Sequence, residues 1–186
     1  EEIKTYKKKA DFIQSSFYSK HKTEIDGAIN GLEWDNTLSD AAEKKEIRVV
    51  SWNIERGKQL DNIITFLKED PSLSQADIIL AIECDNGMGR TNNRNVTKEL
   101  AEALGMNYCF APSYFVLGKG AIGETEHQTK NTTALHGTSI LSKYKIELAQ
   151  GIEVPDLSDP ELLLTGGTDY EFMCSSCHLK PGQSES

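Results

Sequence analysis

Val49-Val-Ser-Trp-Asn53 and Asp77-Ile-Ile-Leu-Ala-Ile-Glu83 are the two stretches that decide the fold. The first belongs to a β-rich, half-alternating segment that begins at Ile47, and it predicts a strand. The second is nearly all apolar, which is typical of a strand that is buried on both faces. The segment between them predicts a helix that ends before Pro71, because its apolar residues fall on one helical face: Leu60, Ile63, Ile64 and Leu67.

The rest of the chain continues the alternation of strands and helices. Val96, Leu100 and Leu104 predict another helix, which Gly105 closes. Further strands are predicted over 107–111, 137–142 and 170–179, and one or two helices over the lysine-rich residues 1–45. This order indicates an α/β alternation. Three long polar connections interrupt it, and loops of this length are usually functional: 84–95, 112–136 and 151–169.

Length and composition fit one globular domain. The chain has 186 residues, of which 38% are hydrophobic, and a net charge of −9. Most of the negative charge lies after residue 150, so charge does not exclude a polyanionic ligand. No apolar run reaches the ~18 residues that a membrane helix needs, and four cysteines are too few for a disulfide scaffold. We therefore expect no transmembrane segment and a cytoplasmic location.

Polar side chains end both of the decisive strands. Asn53 follows the first strand, and Glu83 closes the second. A carboxylate at the end of so apolar a strand needs a partner, because an unpaired charge in a low-dielectric environment is costly. Mg²⁺ is one such partner, since it takes one or two carboxylates together with water and substrate phosphate. Spacing alone leaves two interpretations open: a metal ligand, and a salt-bridged or solvent-facing strand end.

Another candidate motif lies near the C-terminus. Cys174-Ser-Ser-Cys177-His178 matches the pattern for covalent haem attachment, and it also has redox and half-zinc-site spacings. The motif lies in a β-prone run, where alternation would place Cys174 and His178 on one face and Cys177 on the other. Both cysteines cannot bind one porphyrin in that arrangement. A small haem or redox protein is accordingly ranked below the two functional alternatives that are described next.

Five motifs in order resemble the endonuclease/exonuclease/phosphatase superfamily, which has the fold of deoxyribonuclease I. The first two are the decisive strands, and the other three follow them: Gly87-Met-Gly-Arg90-Thr-Asn-Asn-Arg94-Asn with the helix after it, His136-Gly-Thr-Ser-Ile-Leu-Ser142, and Gly166-Gly167 leading to Cys177-His178-Leu179. The resemblance implies an α+β fold, a four-layer sandwich of two packed mixed β-sheets flanked by helices. It covers 46–180, which leaves 1–45 as a helical N-terminal extension and 181–186 as a tail.

The resemblance also implies an activity and a site. The activity is divalent-metal-dependent hydrolysis of a phosphodiester or phosphomonoester bond, in a substrate class that includes nucleic acid. Asn53, Glu83 and His178 would be the catalytic residues and would converge at one sheet edge, where Glu83 and Asn53 would hold Mg²⁺ or Mn²⁺. Arg90 and Arg94, in the loop after Glu83, would bind a substrate phosphate. The alternative for these two arginines is that they are solvated loop residues.

The sequence departs from the superfamily pattern at several positions. Ile82 occupies the position before Glu83, where members of the superfamily usually have a glutamine. Thr138-Ser139 replaces their usual Asn-Ala, and Thr168 replaces an arginine that often follows the paired glycines. Neither the Gly-Asp-x-Asn motif nor the terminal Asp-His motif occurs in the chain. We therefore expect the N-terminal portion of a hydrolase, incomplete at the C-terminus and inactive by itself. The alternative is a non-catalytic fragment or binding module that retains the fold.

Overall fold

The computed structural model describes residues 9–38, 41–42, 44–116, 129–153 and 173–179, and it describes residues 9–10, 150–153 and 173–179 by their backbone. This part of the chain contains four helices: α1 (Lys9–Ile13), α2 (Ser16–Asn30), α3 (Leu60–Glu69) and α4 (Val96–Leu104). It also contains seven strands: β1 (Glu33–Asp35), β2 (Val49–Arg56), β3 (Ile78–Asn86), β4 (Asn107–Phe115), β5 (Leu135–Ser142), β6 (Ile146–Glu153) and β7 (Met173–Leu179).

The strands form a five-stranded mixed sheet and a separate two-stranded sheet. The order in the larger sheet is β1-β4-β5-β3-β2, and the smaller sheet pairs β6 with β7. Strands β2 and β3 are parallel, with Val49 opposite Ile78 and Asn53 opposite Ile82, while the other pairs are antiparallel. Helix α3 is the crossover between the two parallel strands. The fold is therefore a mixed arrangement of the α+β type.

One face of the larger sheet carries the main apolar core. Helices α3 and α4 pack on this face and bury Leu60, Ile63 and Leu100 against it. The helices form where predicted, because their apolar residues fall on one face and Gly105, at φ 64°, ends α4 in the left-handed conformation. On the opposite face the β2–β3 side is only partly covered, since Val49 is 55% exposed and Ile82 is 37% exposed.

Two strands lie where the sequence does not predict them. Strand β1 falls within residues 1–45, which the composition predicts to be helical, and β6 runs into the predicted connection 151–169. Long-range contacts hold β1 in place. The Glu33 carboxylate accepts hydrogen bonds from Tyr108 Oη at 2.9 Å, Asn95 Nδ2 at 2.8 Å and Asn86 Nδ2 at 3.0 Å. A strand of three residues fixed by tertiary contacts has no periodicity that a sequence could show.

A second long-range contact follows directly after β1. Asn36 Nδ2 donates to the carbonyl oxygen of Ile146 at 2.8 Å, and the Ile146 N–H donates to Asn36 Oδ1 at 2.9 Å. The amide group of one side chain thus pairs with both backbone groups of a residue at the start of β6. Ile146 is itself buried. Residues 33–36 are therefore joined to the sheets. Within the described ranges, no helix combines the length and apolar character that crossing a membrane requires.

Two glycines provide a matched test of packing between the β2–α3 turn and α4. Gly57 and Gly105 both have positive φ, but a Cβ at Gly105 would meet nothing within 4 Å, whereas one at Gly57 would lie 2.6 Å from two methyl groups of Val96. We expect Gly105→Ala to lower the free energy of unfolding by ~1 kcal/mol. Gly57→Ala should cost about 1–3 kcal/mol more, because it also overpacks the turn. Urea unfolding followed by circular dichroism measures both, and equal losses would contradict this packing.

Candidate functional site

The parallel pair β2–β3 brings Asn53 and Glu83 together at one sheet edge. Neither residue ends its strand as predicted, since β2 continues to Arg56 and β3 to Asn86. Both lie within the last four residues of parallel strands, whose carboxyl ends meet at the same edge, and they are therefore close together. Asn53 Nδ2 donates to Glu83 Oε1 at 2.7 Å, and Asn53 Oδ1 accepts the backbone N–H of Glu55 at 3.0 Å. These two bonds fix which way the amide points. Asn53 therefore orients the Glu83 carboxylate through its nitrogen.

Arg56 is a third member of the site that sequence reasoning missed. Its Nη1 donates to Glu83 Oε2 at 2.8 Å, so a protein donor contacts each oxygen of the carboxylate. The side chains of Arg56 and Glu83 are 20% and 21% exposed, and the ion pair therefore lies near the surface. The sequence does contain a signal for Arg56, because this charged residue directly precedes Gly57 at the turn that follows the first strand.

Unusual backbone conformations place these side chains. Glu55, Arg56 and Glu83 have φ of 49°, 68° and 60°, in the left-handed region that non-glycine residues rarely adopt. The pairing register shifts between Asn53 and Arg56 on β2 and between Ala81 and Cys84 on β3. Bulges of this kind turn side chains out of strict alternation and are common beside functional sites. Both strands therefore bulge at the place where the carboxylate, amide and guanidinium meet.

A buried charge cluster lies two residues beyond Glu83. Asp85 and His136 are opposite one another on β3 and β5, and both are completely buried. Arg90 Nε and Nη2 donate to the two Asp85 oxygens at 2.8 and 2.7 Å, and His136 Nδ1 lies 2.8 Å from Asp85 Oδ1. Burial by itself raises the pKa of Asp85, but the hydrogen bonds from Arg90 and His136 outweigh it and hold that pKa below its usual value.

The two arginines predicted to bind phosphate have carboxylate partners in the structure. Arg90 is 6% exposed and donates to Asp85 in the bidentate manner just described. Arg94 donates to Glu99 Oε2 through Nε at 2.7 Å and to Asp61 Oδ1 through Nη2 at 2.9 Å, and these bonds raise its pKa. The contacts connect the loop after β3 to both α3 and α4. Binding of a substrate phosphate by Arg90 and Arg94 stays a prediction.

The structure describes His178 by its backbone alone. It lies in β7, opposite Leu148 of β6, and thus in the smaller sheet rather than in the sheet that carries Glu83. Its side chain, like those of Cys174 and Cys177, lies outside the described residues, so its convergence with Asn53 and Glu83 stays a prediction. Cys84, next to Glu83, is buried and its thiol contacts the Ala81 carbonyl oxygen at 3.5 Å, which fits a packing role.

The donor set at the sheet edge bears on the predicted metal. Among the side chains that the structure describes, no group of three or more His, Cys, Asp or Glu residues could hold a metal ion. Glu83 supplies one carboxylate, and its two oxygens accept hydrogen bonds from Asn53 and Arg56 in this structure. Asn53 presents its nitrogen to Glu83, which fits an orienting role. Metal ligation by Glu83 and Asn53 stays a prediction.

Comparisons of the chain with protein-family models, with curated proteins and with solved structures give no match.

The buried cluster predicts a large difference between two aspartates that pair with arginines. Asp85→Asn leaves the Arg90 charge buried without its counter-ion, and we expect a loss of about 3–5 kcal/mol in the free energy of unfolding. The control is Asp61→Asn, which removes an Arg94 partner that is 82% exposed and should cost far less, because water screens an exposed pair. Chemical denaturation measures both variants. Similar losses would show that Asp85 does not stabilise the fold as the buried partner of Arg90.

The lowered pKa of Asp85 also predicts a pH dependence. Below the ordinary aspartate pKa of ~3.9, the unfolded chain takes up a proton at this residue before the folded chain does. The stability that Asp85 contributes is therefore complete above that value and is lost as the pH falls through the lower pKa of the folded state. We expect the difference in unfolding free energy between wild type and Asp85→Asn to shrink on acidification below about pH 4. A difference that is constant with pH would contradict this.

Proposed function

We propose that the chain carries the metal-binding part of a divalent-metal-dependent phosphoesterase. The observation that supports this most directly is the Asn53–Glu83 contact, in which a solvent-accessible carboxylate is held at the carboxyl ends of two parallel strands. Ligand sites of sheets with parallel strands commonly lie at this place. The substrate class is a phosphodiester or phosphomonoester, and it includes nucleic acid. When Mg²⁺ or Mn²⁺ is bound, it supplies charge stabilisation to a phosphoryl oxygen.

The proposed fold is the deoxyribonuclease I-like four-layer sandwich. Helices α3 and α4 form a helical layer on one face of the five-stranded sheet. The opposite face leaves Ile78, Leu80 and Ile140 half-buried, and this is the face on which a second sheet would pack. The β6–β7 pair contributes to that second sheet in the proposal, since it contacts β4 and β5.

Each proposed residue has a separate task at the phosphate. Glu83 holds the cation, and Asn53 fixes the orientation of its carboxylate. His178 donates a hydrogen bond or a proton to the phosphate or the leaving oxygen, because its pKa of ~6.5 in model peptides suits proton transfer near neutrality. In this proposal Arg90 and Arg94, in the loop after β3, bind the substrate phosphate, and carboxylates balance the charge of each in the structure.

One observation favours a second candidate function. Both oxygens of Glu83 contact protein donors, Asn53 and Arg56, so the carboxylate has partners without any ligand. A non-catalytic binding module that retains the fold would need no more than this. Metal titration separates the two candidates, because only the phosphoesterase requires that Glu83 bind a divalent cation.

Substitution of Glu83 tests the proposal. We expect wild type to bind Mn²⁺ weakly, no more tightly than about 0.1 mM, because a single carboxylate gives little affinity for a hard cation. Glu83→Gln should abolish this binding. The matched control is Glu99→Gln, which removes a carboxylate that pairs with Arg94 and should leave Mn²⁺ binding unchanged. Calorimetric titration measures all three proteins. Equal binding by wild type and Glu83→Gln would overturn the metal site and favour the binding module.

A further inference from the structure

The dipeptide Asn-Gly occurs at residues 30–31 and 86–87, and the fold gives the two copies opposite surroundings. We infer that Asn30–Gly31, in the link between α2 and β1, is a site of spontaneous covalent modification, at which Asn30 loses its side-chain amide and becomes aspartate or isoaspartate. The fold protects Asn86–Gly87 from the same reaction. This inference is independent of the proposed function.

The reaction needs no reagent other than water. The backbone nitrogen of Gly31 gives up its proton and bonds to Asn30 Cγ, while the bond from Cγ to the side-chain nitrogen breaks and ammonia leaves. Water then opens the cyclic imide. Cleavage on the Cγ side leaves aspartate, and cleavage on the backbone side leaves isoaspartate, whose main chain contains an additional carbon. Glycine favours closure of the imide, because it has no side chain to hinder the approach of its nitrogen.

Asn30–Gly31 can reach the geometry that closure of the imide requires. Asn30 is the last residue of α2 and is exposed, as is Gly31, which is extended at φ −75° and ψ 121°. Rotation about ψ of Asn30 moves only the residues that follow the helix, and helix ends fray. Among the residues that the structure describes, none forms a hydrogen bond or an ion pair with the Asn30 side chain. The amide can therefore turn toward the Gly31 nitrogen.

Hydrogen bonds hold Asn86–Gly87 away from that geometry. The Asn86 side chain donates to Glu33 Oε2 at 3.0 Å. The backbone nitrogen of Gly87, which would have to attack, donates to the Arg94 carbonyl oxygen at 3.1 Å. Gly87 is buried, and its carbonyl oxygen accepts two further backbone N–H groups. Closure of the imide here requires local opening at the end of β3, and only the opened fraction of molecules can react.

Modification at Asn30 acts on the docking of β1. The new carboxylate lies at the C-terminus of α2, where the helix dipole is negative and the last turn contains no basic residue. Isoaspartate also lengthens the main chain three residues before Glu33, whose carboxylate accepts three side-chain hydrogen bonds. The added charge and the added carbon therefore both work against the register of this short strand.

Incubation of the folded chain in mildly alkaline buffer tests the inference. Peptide mapping by mass spectrometry measures the loss of each amide, with the two dipeptides on separate peptides. We expect Asn30 to react at least about 50-fold faster than Asn86 in the folded protein. In concentrated urea, where both dipeptides are exposed, the two rates should agree within about threefold. The loss of half of each amide in urea sets the length of the incubation.

Three results would overturn the inference. Equal rates in the folded protein would show that the fold does not protect Asn86, and a faster reaction at Asn86 would reverse the assignment. Loss of neither amide from the folded protein during the same incubation would show that the end of α2 holds Asn30 as firmly as β3 holds Asn86.

Two variants test the effect on β1. Asn30→Gln should stay unmodified at this position, because its longer side chain closes a larger ring much more slowly. The matched control is Asn62→Gln, which replaces an exposed asparagine of α3 and should be modified at Asn30 as wild type is. After incubation, hydrogen exchange across Glu33–Asp35 should be about tenfold faster in wild type and Asn62→Gln than in Asn30→Gln. Equal exchange in all three proteins would overturn the effect on β1, while the peptide maps decide the modification itself.

Discussion

The structure at the sheet edge depends on a negative charge that is buried where β3 ends. Removing the Asp85 carboxylate from water costs several kcal/mol, and only good geometry with further hydrogen bonds offsets that cost. Arg90, in the loop after β3, donates two hydrogen bonds to the Asp85 carboxylate, and His136 of β5 makes a further contact with it. The loop after β3 and strands β3 and β5 must therefore come together for the buried charge of Asp85 to be balanced. Glu83 lies two residues before Asp85, so its position follows from this cluster even though it takes no part in it.

Two ion pairs with different surroundings stand next to each other along β3. The inner pair is closed to solvent, and its formation is needed for the fold. The outer pair, Arg56 with Glu83, is partly hydrated, and the fold depends on it less. The same strand thus carries a buried ion pair and a partly exposed one. The bulges in β2 and β3 contribute to this difference in exposure, because they turn Arg56 and Glu83 away from the regular ladder.

Periodicity and end signals were enough to predict the central elements. The apolar face of α3, the closing Gly105 of α4 and the uninterrupted apolar run of β3 are local signals, and local packing follows them. The meeting of Asn53 and Glu83 was predictable from the parallel pair, but the strand ends were not, since β2 and β3 continue to Arg56 and Asn86. Arg56 was not, because its approach to Glu83 requires positive φ at three successive residues, which sequence patterns do not report. Strand β1 was not predictable either, since its partners are distant in sequence.

The contact between Asn36 and Ile146 sets conditions on the order in which the chain folds. The two residues are 110 positions apart, so bringing them together costs more chain entropy than closing a shorter loop does. The crossover β2–α3–β3 joins strands that are much closer in sequence, with Val49 opposite Ile78. Contacts between residues that are far apart in sequence slow folding, and we expect them to form after the shorter-range contacts are stable. We therefore expect β1, at the edge of the larger sheet, to join it after the central strands have paired.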